Sequence, residues 1–391
     1  MIWNKYSALM LLIAVGGLVA APHISWPTPV TRAAHAAVAT CAEKETRATC
    51  YEEEVPEYLD TLSLEDVFDV IRTIRKTDPN YQYCHLLAHK LGEITVAEDP
   101  AHWMQALRRN PPDGLCSNGF IHGAVIGRFR DDILEGEKLE KAIPDFARAC
   151  EPDAAWQPTS LDQAICYHGL GHLFTFITDA TLENALAICE RIGESPTGDF
   201  LRVCREGVFM QVFQPVEPDD FALLESLWMK PTKENYRAFC ATYTKDEYEG
   251  ACLREAWPLW RDELKEGAAV VSFCSEQPNQ EETRSCYESV AAIIGRQSLD
   301  RPDAVARACA HYPSEYQLLC YEYGARARIE EDHAAGEQAL AVCESAGTYS
   351  YQCMTRLAET AQFAFANTKV RRDFCALLPM DLQSRCLGIS F

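Results

Sequence analysis

Five of the chain's ten histidines follow closely on three cysteines, in Cys84-His85-Leu-Leu-Ala-His89, Cys116-Ser-Asn-Gly-Phe-Ile-His122 and Cys166-Tyr-His168-Gly-Leu-Gly-His172. Counted from Cys116, Cys166 and Cys204, the sixth position is His122, His172 and Met210, and the second is Asn118, His168 and Glu206. His85 and His89 are shifted by one residue but keep the same four-residue separation. Residues four apart share one face of a helix, so pairs on neighbouring helices converge. Imidazole nitrogen with carboxylate oxygen suits zinc or iron, and a thioether favours copper. The pattern therefore predicts a divalent transition-metal site, with His85, His89, His122, His168, His172 and Met210 as ligands. Glu206 is the candidate catalytic carboxylate, as ligand or general base, and haem is a further candidate cofactor. The competing reading makes each histidine an ordinary interhelical hydrogen-bonding residue. No established zinc-protease pattern is present, because the His85/His89 pair lacks its glutamate.

Glycine is concentrated in the same stretch. Gly119, Gly169 and Gly207 each stand three residues after a cysteine, with Gly92, Gly123, Gly127 and Gly171 nearby. A glycine inside a helix costs about 0.5–1 kcal/mol relative to alanine, so such a cluster needs a packing or ligand-clearance reason. Close approach of two helices explains the spacing of Gly119, Gly123 and Gly127 without any ligand.

The elements that must position these residues are marked by the cysteines. Cys252, Cys286, Cys320, Cys353 and Cys386 are separated by 34, 34, 33 and 33 residues, the period of a helix-turn-helix repeat. Each has a partner shortly upstream: Cys240, Cys274, Cys309, Cys343 and Cys375. Thr244 with Glu247, Asn279 with Glu282, and Ser314 with Gln317 read as N-terminal caps of the second helices. A disulfide from the first helix to the second would staple each hairpin, contributing about 2–3 kcal/mol. Followed backwards, the series runs through Cys204, Cys166, Cys116, Cys84 and Cys50, giving about ten hairpin units. Upstream partners exist in Cys189, Cys150 and Cys41, whereas Cys84 and Cys116 have none. Pairing of those two between neighbouring hairpins is preferred, since unpaired thiols are uncommon in exported chains; as free thiols they would be further candidate ligands. The fold class read from this is all-α, an α-solenoid of helical hairpins stapled by intra-repeat disulfides.

In period and in regular cysteine spacing, residues 41 to 391 resemble the secreted, disulfide-stapled Sel1 and tetratricopeptide-like α-hairpin repeat proteins. Their glycine-rich turn consensus is missing here, for instance between Cys309 and Cys320. The resemblance implies a solenoid with a binding surface and no particular activity.

Residues 1–21 read as a signal peptide or N-terminal anchor, with Lys5 ahead of an apolar run from Ala8 to Ala21, and 22–40 as a linker without a core. Residues 41–211 are the histidine-rich repeats and 212–391 a scaffold. Export agrees with 18 cysteines, and places the chain in the periplasm or outside the cell. The 58 acidic against 36 basic residues, a net charge of -22, exclude nucleic acid and leave membrane contact to an uncleaved anchor. Three functions follow: a metal-dependent enzyme of the cell envelope, a metal or haem carrier, and a scaffold that binds an envelope protein partner and uses its histidines structurally.

Overall fold

The computed structural model describes residues 27–388, apart from 82–83, 112, 130–133, 155, 216–217, 266, 299–300 and 367. The expected export signal at 1–21 lies outside these residues. The chain is all-α; among the described residues the strands are two short segments, Glu194–Ser195 and Gly198–Asp199, paired antiparallel. It divides into two compact units, Met1–Tyr81 and Gln82–Phe391. The boundary anticipated at 211/212 falls inside the second.

In the first unit, helix α1 (Pro29–Cys41) starts where Pro29 presets the helical φ and the Thr28 hydroxyl accepts from the Thr31 amide at 3.1 Å. Its buried residues Ala34, Ala37 and Cys41 let it lie on helix α2 (Leu64–Thr77). Residues 29–40 are thus part of a packed helix and not a coreless linker; the alanine run that suggested processing is a small-residue packing face. Between the two helices, Cys50 on Arg47–Glu54 is bonded to Cys41. Buried Asp78 accepts from Tyr51 Oη at 2.8 Å and from Arg47 at 3.0 Å, tying the unit's last turn to its middle.

The second unit contains helices α3 (His85–Glu98), α4 (Gly119–Phe129), α5 (Gly136–Ala149), α6 (Ser160–Ile177), α7 (Leu182–Ile192), α8 (Leu201–Phe213), α9 (Asp246–Glu255), α10 (Gln280–Gln297), α11 (Gln317–Glu331), α12 (Ser350–Ala364) and α13 (Met380–Cys386). The second helices of the hairpins contact one another in chain order: α3 with α4, α4 with α6, α6 with α8, then α8, α9, α10, α11, α12 and α13 in succession. Two contacts reach far across the sequence. The turn before α4 meets α11, where the Ser117 hydroxyl donates to Glu331, and α6 meets α12, with Leu161 joining the apolar cluster of the later hairpins.

All 18 cysteines are paired. Eight bonds lie within hairpins, as the spacing predicts: 41–50, 150–166, 189–204, 240–252, 274–286, 309–320, 343–353 and 375–386. The ninth, Cys84–Cys116, joins α3 to the turn before α4. Of the three expected caps, Asn279 accepts from the Glu282 amide at 2.9 Å. Ser314 instead opens a 3-10 turn ahead of α11, and α9 begins at Asp246 with Lys245 at its cap. There, Asp246, Glu247 and Glu249 crowd the first turn and oppose the positive end of the helix dipole.

The glycines bring helix backbones into contact. A Cβ on Gly123 would lie 1.8 Å from the His89 carbonyl oxygen, and one on Gly207 would lie 2.1 Å from the His168 carbonyl oxygen. The α3–α4 and α6–α8 pairs are therefore two tightly joined blocks. Where they meet, Gly169 faces the side chain of His122 instead of backbone.

Candidate functional site

Each block carries histidines to the seam between them. From α3 and α4, His122 lies 5.2 Å from His85 and 6.4 Å from His89, measured between ring centroids. Across the seam, His122 lies 5.7 Å from His168 and 5.5 Å from His172 on α6. All five predicted histidines are thus brought together, with His89, His122 and His172 buried and His85 and His168 half-buried.

Hydrogen-bond partners fix the protons of the α6 pair. His168 Nδ1 lies 3.1 Å from the Val203 carbonyl oxygen, which only accepts, so Nδ1 carries the hydrogen and Nε2 a lone pair. His172 Nε2 lies 3.2 Å from that lone pair and must donate to it, leaving His172 Nδ1 as an acceptor. The Gln211 side-chain amide is its neighbour at 2.9 Å. Placing the amide nitrogen there also gives a partner to the buried Gln211 nitrogen, which has none in the opposite orientation. The result is a one-way chain of donors: Gln211 to His172, His172 to His168, and His168 to the backbone of α8. Met210 Sδ flanks His168 Nε2 at 3.1 Å.

On the other block, His85 Nδ1 faces the Cys116 carbonyl oxygen at 3.3 Å. That carbonyl belongs to a left-handed turn, with φ of 56°, 53° and 55° at Cys116, Ser117 and Asn118. Non-glycine residues pay about 1–2 kcal/mol each in this region. The Cys84–Cys116 bond, the Ser117–Glu331 contact and the Asn110 amide donating to Asn118 Oδ1 at 2.6 Å hold the turn in place. His89 Nδ1 lies 3.2 Å from Glu93 Oε1. His122 Nε2 is buried with no hydrogen-bond partner among the described residues.

Burial favours the neutral form of His85, His122, His168 and His172. It pushes His85 down to about 4, aided by His89. Burial and the other histidines push His122 and His172 well below the usual range. His168 is also lowered by burial, with Glu206 opposing.

Glu206 is engaged elsewhere. Its Oε1 accepts from Arg202 Nε and Arg254 Nε, each at 3.0 Å. Burial alone would raise its carboxyl, but these two guanidinium groups hold it at about 2. It is an ion-pair member, and the two guanidinium groups take away the basicity that a general base needs. Neighbouring Glu255, which accepts from Gln214 Nε2 at 3.1 Å, is pushed up to about 8 by burial and by Glu206.

This arrangement corrects the metal expectation. Among the described residues no three or more His, Cys, Asp or Glu side chains form a group that could hold a metal ion. The imidazoles meet ring against ring, ring nitrogens of His85 and His168 face backbone carbonyls, Glu206 is neutralised by arginine, and every thiol is in a disulfide. His85, His89, His122, His168, His172 and Met210 therefore form a cluster without being a ligand set, and the zinc, iron, copper and haem expectations fall with it.

The sequence reading missed a ladder of paired charges on the second helices. Arg202–Glu206 on α8, Arg284–Glu288 on α10, Arg326–Glu330 on α11 and Arg356–Glu359 on α12 are ion pairs along single helices. Arg202 also reaches Glu288 at 3.2 Å, and Arg254 of α9, only 3% exposed, bridges Glu206 and Glu282. The signal was available: Arg202 and Glu206 flank Cys204 by two residues on each side, as Arg284 and Glu288 flank Cys286.

In comparison with known proteins, the chain matches no family model, no curated protein and no solved structure.

Proposed function

We propose that the chain is an exported binding scaffold of an oxidising compartment, periplasmic or extracellular, built as an α-solenoid of Sel1 or tetratricopeptide-like hairpins. Its partner is another envelope protein, and it docks on the charged ladder of the second helices. The observation that carries this reading is the ladder itself: Arg284 and Arg356 are 64% and 56% exposed although each is paired within its own helix. Exposed arginines on stapled helices, backed by half-buried or buried glutamates and joined by exposed Glu359, suit recognition of a protein surface, where complementary charge sets register and partner choice. Nine disulfides agree with an oxidising compartment. No described helix is long and apolar enough to cross a membrane.

Site-specific photo-crosslinking tests the proposal. A photoreactive amino acid at Arg284 or Arg356 is expected to give one discrete adduct in exporting cells, while the same probe at Arg148 on first helix α5 gives none. Equal labelling at both faces, or no adduct from the ladder, rejects it.

A further inference from the structure

We propose that the seam between the α3–α4 and α6–α8 blocks is an acid-sensitive joint, which opens when imidazoles on its two sides take up protons. The geometry gives three reasons. Each block is held internally by backbone contact at Gly123 and Gly207, whereas at the seam Gly169 meets the side chain of His122 and the five imidazoles gather. In the chain from Gln211 through His172 and His168 to Val203, every ring nitrogen of the pair already has a partner. A proton added to His168 Nε2 breaks the bond from His172, and one added to His172 Nδ1 requires the Gln211 amide to turn its oxygen inward. Finally, His122 stands between two histidines of its own block and two of the other, so charge on both sides repels across 5.5–5.7 Å.

The surrounding charges do not offset this repulsion. On α3, Glu93 sits beside His89 at 3.2 Å and is 23% exposed. From α8, Glu206 faces His168 but is committed to Arg202 of the same helix and Arg254 of α9. From α9, the Glu255 carboxyl is pushed up to about 8 by burial and by Glu206, and from α10 the Arg296 guanidinium opposes protonation of His168. Among the described residues no carboxylate pairs with His122 or His172, and their protonation is the event that forces the blocks apart. The sensor is independent of the partner proposed above, since it acts within the chain.

Hydrogen exchange of the intact, oxidised protein at about pH 7.5 and about pH 5, corrected for intrinsic rates, tests this joint. Amides of α4 and α6 are expected to lose protection at the lower pH by at least about tenfold, the factor equivalent to one unit of pKa displacement. Amides of α10 to α12 should keep theirs. His122→Gln with His172→Gln should reduce the difference between the two pH values, leaving the part that His85 and His168 contribute. Met210→Glu, which keeps all five histidines and sets a carboxylate beside His168, should reduce it and covers the case in which the double variant fails to fold. Equal loss of protection in all helices, or an unchanged response in either variant, overturns the proposal.

Discussion

Replacing Gly123 by alanine tests whether backbone contact sets the geometry of the cluster. The new Cβ would stand 1.8 Å from the His89 carbonyl oxygen and 2.5 Å from its carbon. Carbon–oxygen contacts settle near about 3.3 Å, so α3 and α4 must separate by about 1.5 Å. A gap of even about 0.5–1 Å forfeits a quarter to a half of each dispersion contact along the interface. Overpacking costs about 1–3 kcal/mol when side chains can rotate away, and here the obstacle is backbone, which places the cost at about 3 kcal/mol or above. Alanine's higher helix propensity returns about 1 kcal/mol, so the net loss is at least about 2 kcal/mol. Gly324→Ala on α11 is the control: its Cβ meets Val305 Cγ1 at 2.7 Å and the nearest backbone oxygen at 3.7 Å, so a side chain can give way. That variant should stay within about 1 kcal/mol of the wild type. Urea unfolding followed by circular dichroism without reductant measures both. If the two variants unfold at the same midpoint, the close-approach account of these glycines is wrong.

Two further outcomes follow from the buried charges. His85 titrates at about 4 when folded and near 6.5 when unfolded, so the unfolded chain binds the extra proton first. Its contribution is complete above about pH 6.5 and is lost as pH falls towards about 4, reaching about 3 kcal/mol; His85→Gln should flatten the pH dependence of urea unfolding in that window by this amount, and an unaltered slope would refute the assignment. Arg254→Ala removes the buried partner of Glu282 and leaves Glu206 to Arg202 alone, and should cost about 3–5 kcal/mol by the same assay, whereas Arg254→Met with Glu206→Gln and Glu282→Gln should recover most of it; a single variant as stable as wild type would show that the buried pairs are solvated.

How much of this was legible in the sequence depends on the range of the interaction involved. Disulfide pairing was readable because a hairpin staple needs two cysteines at a short, repeating separation, and the 33–34-residue period supplies it. Cys84–Cys116 was readable by its departure from that rule. The meeting of five histidines was also readable, since a shared register relative to the cysteines places residues on one face. What they do there was not, because a histidine's role depends on where each ring nitrogen points. That is decided by groups such as the carbonyls of Cys116 and Val203, which every sequence possesses and none advertises. The left-handed turn at Cys116–Asn118 was hidden for a related reason: no glycine occupies those positions, and remote Glu331 helps to hold them. Glu206 shows the same limit from the acidic side. Its i,i+4 partner Arg202 was in plain view, but Arg254 arrives from a helix 48 residues on, and the two guanidinium groups together hold the carboxylate ionised. Local spacing therefore specified which side chains gather, while long-range partners and burial decided that they gather as neutral rings, with His168 and His172 joined by a hydrogen bond. Such a cluster is stable only while it stays neutral, which makes its proton affinity, more than any ligand affinity, the property the fold has set.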